Sequence, residues 1–101
     1  MPYAPLLSPE EVQERLRVLE GWALEGDRIV KRFRFAAFME SIAFINRVAE
    51  LAEAADHHPD ISINYTRVTL SLITYASKGL THRDFDLAGE VEGVDAPAQA
   101  S

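Results

Sequence analysis

Two stretches with strand periodicity flank one long stretch with helical periodicity, and this alternation restricts the fold more than any other feature. Residues 36–57 repeat apolar side chains at the spacing of one helix face. Residues 22–35 and 61–75 alternate apolar with polar side chains around a short turn, which predicts two hairpins. With a helix at each end, the order is αββαββα. The sequence therefore predicts an α+β domain with two layers: a four-stranded antiparallel sheet with three helices on one face.

The two terminal helices are predicted from their capping residues. Ser8 precedes Pro9 and stands three residues before Glu11, which is the spacing of a capping box. Thr81 stands in the same relation to Asp84. At 101 residues the chain has the length of one domain, which we place at residues 1–94. We expect residues 95–101, which are small and polar, to form a disordered tail.

The long helix carries more apolar surface than packing on one sheet requires. Its two neighbouring stripes are Phe38, Ile42, Ile45, Ala49 and Ala52, and then Phe44, Val48, Leu51 and Ala55. The second stripe is expected either to contact another copy of the chain or to be covered by the first or third helix. In the first hairpin, Lys31 interrupts an apolar row and predicts a strand end or a sheet edge.

Composition argues against several classes of function. The net charge of −6 and the scattered basic residues argue against nucleic acid and anionic membranes as partners. The basic run at residues 31–34 is interpreted as the solvated edge of a strand. The chain has no cysteine for a disulfide or thiol chemistry. No apolar run approaches the ~18 residues of a membrane span, and no secretory leader is evident, so we expect a cytoplasmic location.

The segment EAADHHPD, residues 53–60, carries the strongest chemical signal. Pro59 disfavours helix in the residue before it, so His57 and His58 fall at the end of the long helix. Helix carbonyls there favour the protonated imidazole, and Glu53, four residues before His57, is expected to hold that ring. Such histidines can give and take protons near neutral pH. Alternatively, they only complement the helix dipole; a metal site is disfavoured because adjacent helical side chains point about 100° apart.

The same segment resembles the pterin-4a-carbinolamine dehydratase family. The resemblance spans residues 8–91 and includes the HHP triplet and the ending GLTHRDFDLA. The matched motif positions are Glu53, His57, His58, Pro59, Tyr65 and Asp84. One position departs, because Tyr75 stands where the family has His or Trp. His82 is seven residues further on and is not expected to take that role.

The resemblance implies an enzyme that removes water from a 4a-hydroxytetrahydropterin in tetrahydrobiopterin recycling. It implies that His57 and His58 are the acid/base pair with Glu53 orienting His57, and that Tyr75, Thr74 and Asp84 bind substrate. No metal and no cofactor are required. The family also implies a homodimer or homotetramer. Two other functions stay open: a non-catalytic member of the fold that acts as an assembly or dimerisation partner, and a pterin- or molybdopterin-binding protein of another pathway.

Overall fold

The helices and strands occur in the predicted order. The structure is a computed structural model, and it describes residues 4–94 and the strand residues 99–100. Its elements are α1 (Pro9–Leu16), β1 (Ala23–Glu25), β2 (Arg28–Arg34), α2 (Phe38–Ala55), β3 (Asp60–Asn64), β4 (Arg67–Leu72), a 3₁₀ turn (Tyr75–Ser77), α3 (His82–Glu92) and β5 (Gln99–Ala100). Ser8 and Thr81 cap α1 and α3 through complete capping boxes.

The four strands β1 to β4 form one antiparallel sheet in the order β1-β2-β4-β3, in which each predicted hairpin is a neighbouring pair of strands. The short β5 adds to the edge of β2, opposite Phe33 and Arg34. Of the predicted disordered tail, residues 95–98 and 101 lie outside the described residues. The disorder of that tail therefore stays a prediction, although Gln99–Ala100 pair with β2.

One face of the sheet carries the core. Ile29 pairs with Leu72, and Phe33 pairs with Val68, so their side chains form one apolar surface. Buried residues from all three helices pack on this surface: Val12 from α1, Phe44, Val48 and Ala52 from α2, and Phe85, Leu87, Ala88 and Val91 from α3. The predicted α+β class with two layers is confirmed. None of the described helices is long and apolar enough to cross a membrane.

The two stripes of α2 are not divided as predicted, because residues of both stripes contribute to the core. Phe44 and Val48, from the second stripe, are buried in the core, where Phe44 packs against the rings of Phe33 and Phe35. In the first stripe, Phe38 is 44% exposed. A helix wheel does not distinguish two adjacent apolar stripes, because the side that faces the sheet depends on how the preceding loop enters the helix.

Lys31 lies inside β2, so the prediction of a strand end is wrong. It lies just beyond Val30, the last residue of β2 that pairs with β1, and it pairs with Leu70 of β4. Its side chain points to the core side of the sheet, and its ammonium lies 2.9 Å from Glu92 of α3. It also donates to the Glu20 carbonyl at 2.9 Å. A buried lysine is tolerated where its charge is paired and its hydrogen bonds are made. This partner could not be predicted from the residues near Lys31, because Glu92 lies in the last helix.

Candidate active site

The site begins where α2 ends. The C-cap residue Asp56 adopts the left-handed conformation, with φ 50° and ψ 44°, and turns the chain out of the helix. The guanidinium of Arg83, in the first turn of α3, donates to the carbonyls of Ala55 and Asp56 at 2.9 and 2.8 Å. These are carbonyls that a helix end leaves without intrahelical partners. The turn and the arginine together fix the direction in which His57 and His58 leave the helix.

His57 is directed into the protein and meets a buried carboxylate. The ring is 1% exposed, and its Nε2 lies 2.6 Å from Oδ1 of Asp84. The other oxygen, Oδ2, accepts from the Thr74 hydroxyl and from the Thr81 backbone N–H, both at 2.9 Å. Asp84, Thr74 and Thr81 are fully buried. A short hydrogen bond therefore joins the imidazole to the carboxylate, and both partners are shielded from solvent.

His58 points the other way, toward solvent. Its side chain is 52% exposed, and its Nε2 lies 2.5 Å from Oε2 of Glu53. The sequence predicts that Glu53 holds His57, but in the structure Glu53 holds His58, and Asp84 holds His57. The prediction is wrong because spacing of four residues joins side chains only while the helix continues. Here the helix ends at Ala55, before either histidine.

Tyr75 stands in a polar cluster on the neighbouring stretch of chain. Its hydroxyl donates to Oδ2 of Asp60 at 2.9 Å, and Arg28 donates to the tyrosine oxygen at 3.4 Å and to Asp60 at 2.8 Å. The hydrogen bonds to Tyr75 and then to Asp60 raise the pKa of Arg28 above its ordinary value. The Tyr75 side chain is half exposed, so its ring is accessible to a ligand.

Chain connectivity brings these groups to one end of the sheet. His57 and His58 are consecutive, Asp60 follows two residues later, and Thr74 directly precedes Tyr75. The contact between Thr74 and Asp84 ties the end of β4 to the first turn of α3, and Asp84 ties both to His57. Successive Cα atoms are about 3.8 Å apart, so the exposed groups His58, Asp60 and Tyr75 border one region of surface.

Two residues of this region were not found from the sequence as members of the site. Asp60 and Arg28 contact each other and Tyr75, and Arg28 also donates to Ser71 at 3.1 Å. Asp60 lies opposite Ser71 in the strand pairing, which is what brings the cluster together. The position of Asp60 directly after HHP was the one available signal, whereas Arg28 is far away in sequence and could be found only from the strand register.

The buried members of the candidate site make different contacts from the exposed ones. Thr74 and Asp84 are predicted to bind substrate, but their polar atoms are satisfied inside the protein, where they support His57. Among the described residues, no group of three or more His, Cys, Asp or Glu side chains is arranged to hold a metal ion. The exposed part combines an imidazole, a phenol and two carboxylates, which is suited to proton transfer and to hydrogen bonding with a polar ring.

Comparison with known proteins gives relatives that align over most of this chain and nearly all of their own length. A relative from Roseiflexus castenholzii is 50% identical over 91 residues, which cover 90% of this chain and 98% of the relative. A relative from Acidobacterium capsulatum is 48% identical over 88 residues, covering 87% of this chain and 96% of the relative. Both bear the name "Putative pterin-4-alpha-carbinolamine dehydratase".

Two solved structures share the fold. One is the transcriptional coactivator/pterin dehydratase from Brucella melitensis, with a TM-score of 0.82, 34% identity, and coverage of 86% of this chain and 95% of that one. The other is a pterin dehydratase-like protein identified as a RuBisCO assembly factor in the α-carboxysome; its TM-score is 0.64 at 26% identity, with coverage of 73% and 88%. The family model described as pterin 4 alpha carbinolamine dehydratase matches residues 5–94. The chain therefore belongs to the pterin 4 alpha carbinolamine dehydratase family.

Proposed function

We propose that the protein is a hydro-lyase that converts 4a-hydroxytetrahydrobiopterin into quinonoid dihydropterin and water. The reaction breaks the bond from C4a to the hydroxyl oxygen, which leaves as water after it receives a proton. N5 loses its proton, and a double bond forms between C4a and N5. One acid and one base are therefore needed. The observation that supports the proposal most is that each of two consecutive histidines contacts a carboxylate of its own.

In this proposal, His57 and His58 supply the acid and the base. His58 is the group that a substrate meets first, because it is half exposed and the Glu53 carboxylate holds its ring. The His57 ring is 1% exposed, so a substrate reaches it only if covering groups move aside. Asp84 positions His57 from behind, in the way that a buried carboxylate fixes a catalytic imidazole. We assign Thr74 to the support of Asp84, and not to direct contact with the pterin.

The decisive experiment is a stopped-flow assay of the purified protein with a freshly generated 4a-hydroxytetrahydropterin. Acceleration over the uncatalysed dehydration supports the proposal. A rate equal to the uncatalysed one, in protein shown by circular dichroism to be folded, would remove it.

Tyr75 gives a second test, because it replaces the ring that other family members have at this position. A phenol has a pKa near 10 and is a poor base at neutral pH. We expect Tyr75→His to raise kcat by about tenfold, toward the 10²–10⁴-fold that one proton-transfer group typically contributes. Tyr75→Phe serves as the matched control, because it keeps the ring and removes only the hydroxyl that contacts Asp60. A histidine variant no faster than the phenylalanine variant would contradict this role.

The second candidate is a non-catalytic partner in protein assembly. The likeness to the RuBisCO assembly factor and the replacement at Tyr75 favour it. A scaffold would bind its partner equally well after His58→Ala, and the wild type would not accelerate the dehydration. The retained histidines, with their two carboxylates, make the enzyme the better supported of the two functions.

We further propose that the protein works in tetrahydrobiopterin recycling in the cytoplasm, as a homodimer or homotetramer. Exposed apolar residues at the start of α2 support the oligomer: Phe38 is 44% and Met39 is 70% exposed, and the Phe38 ring stacks on Tyr65. Exposed apolar patches of this kind often mark interfaces between proteins.

We expect sedimentation equilibrium to give a dimer or larger at micromolar concentration, and Met39→Glu to shift it toward monomer. A monomeric wild type would contradict the oligomer.

A further inference from the structure

The face of the sheet that the helices leave uncovered carries a set of arginines. Along β2 and β4, the residues that alternate with the core residues point to this open face. Its basic members are Arg28, Arg32, Arg34 and Arg67. The chain as a whole has a net charge of −6, so this cluster of positive side chains differs in sign from the net charge of the protein.

Acidic side chains neutralise only half of the set. Arg28 is paired with Asp60 at 2.8 Å, and Arg32 is paired with Glu25 at 2.9 Å. Arg34 and Arg67 have no acidic partner within 4.0 Å in the described part of the chain. Furthermore, these two residues lie directly opposite each other in the pairing of β2 with β4. Like charges in that relation destabilise a sheet unless an anion lies between them.

The two arginines border a cavity that is lined by hydrogen-bond donors. Its volume is about 470 Å³, and its lining residues are Arg32, Arg34, Asn64, Arg67 and Thr69. Among the described residues, no carboxylate contributes to this lining. Guanidinium groups bind phosphate oxygens through two parallel hydrogen bonds, and the amide and hydroxyl groups can add single ones.

We propose that this cavity binds a small anion with several phosphate charges, between Arg34 and Arg67. The site is separate from the histidines. Arg67 lies four residues before Ser71 along β4, which corresponds to about 13 Å of extended strand between the anion site and the cluster around Tyr75. An anion there would cancel the repulsion between the two guanidinium groups, so binding should also stabilise the fold.

Titration with pyrophosphate tests the proposal, with sodium chloride at equal ionic strength as the comparison. We expect pyrophosphate to raise the melting temperature more than chloride does. In NMR spectra, we expect it to shift the side-chain resonances of Arg34 and Arg67. Arg67→Gln should weaken binding by about tenfold, which corresponds to losing one charge-assisted contact. Without the anion, Arg34→Gln should melt at a higher temperature than the wild type, because the like charge is gone.

Arg47→Gln is the matched control, since Arg47 is exposed on α2, away from the open face. It changes the net charge by the same amount and should leave pyrophosphate binding unchanged. Equal weakening by Arg47→Gln and Arg67→Gln would overturn the proposal, because binding would then reflect net charge alone. The proposal would also be overturned if no resonance of the open face responded to millimolar pyrophosphate. A change of the same resonances with protein concentration would overturn it as well, because it would indicate that a second copy of the chain binds to this face. Neither arginine belongs to the proposed dehydratase machinery, so these outcomes are independent of that activity.

Discussion

We expect His58→Ala to lower kcat/KM for the dehydration by about 10²–10⁴-fold, which is the usual contribution of one acid or base group. The imidazole is half exposed and is held by Glu53, so the variant removes the group that we propose to transfer a proton and to meet the substrate first. The free energy of unfolding should change by less than about 1 kcal/mol, because exposed ion pairs contribute little to stability. Stopped-flow kinetics and urea denaturation, measured on the same preparation, give both quantities.

His82 provides a matched control for that experiment. It is also a half-exposed histidine beside a carboxylate, with its Nδ1 2.9 Å from Asp86, but it lies in the first turn of α3 and outside the cluster around His58. His82→Ala should leave the dehydration rate unchanged. If both alanine variants slow the reaction equally, or if neither does, His58 does not carry the proton transfer.

The second large effect is on stability. Asp84→Ala should reduce the free energy of unfolding by about 3–5 kcal/mol, because it leaves buried polar groups without their partner. The groups that lose the carboxylate are the His57 ring, the Thr74 hydroxyl and the Thr81 backbone N–H. Asp84→Asn should cost less, since the amide oxygen can still accept two of these contacts, but it removes the charge that faces His57. Urea denaturation measures both variants.

Asp86→Ala is the matched control for the stability experiment. Asp86 lies two residues further along α3 and contacts His82 in an exposed pair. The loss there should be within about 0.5 kcal/mol, as for most surface substitutions. Similar losses for Asp84→Ala and Asp86→Ala would show that the buried network around Asp84 contributes little. A loss of rate for Asp84→Asn, measured under conditions in which the variant is folded, would link the network to catalysis.

The fold could be predicted because its signals are local. Alternation in residues 22–35 and 61–75, and the caps at Ser8 and Thr81, each depend only on near neighbours in the chain. The errors came from contacts between distant segments. The buried position of Lys31 depends on Glu92 of the last helix, and the face of α2 that packs on the sheet depends on the loop before it.

The sequence indicated residues for a candidate site, but it did not predict which of them contact each other. The histidines were identifiable because HHP is a compact motif. Their carboxylates were assigned wrongly, because a single left-handed residue, Asp56, changes where the next two side chains point. Arg28 and Asp60 were missed because only the strand register brings them to Tyr75. We could therefore not predict the conformations of single loop residues or the side-chain contacts across strands from this sequence.

The reach of Arg83 from α3 to the last carbonyls of α2 makes the histidines sensitive to events elsewhere in the domain. If the last helix lifted from the sheet, it would take away both the guanidinium that fixes the turn and the carboxylate behind His57. The geometry needed for chemistry would then be lost while most of the sheet was still intact. We therefore expect the proposed activity to be lost on warming at a lower temperature than the unfolding of the sheet. Contacts that hold the last helix on the sheet would extend the temperature range of that activity.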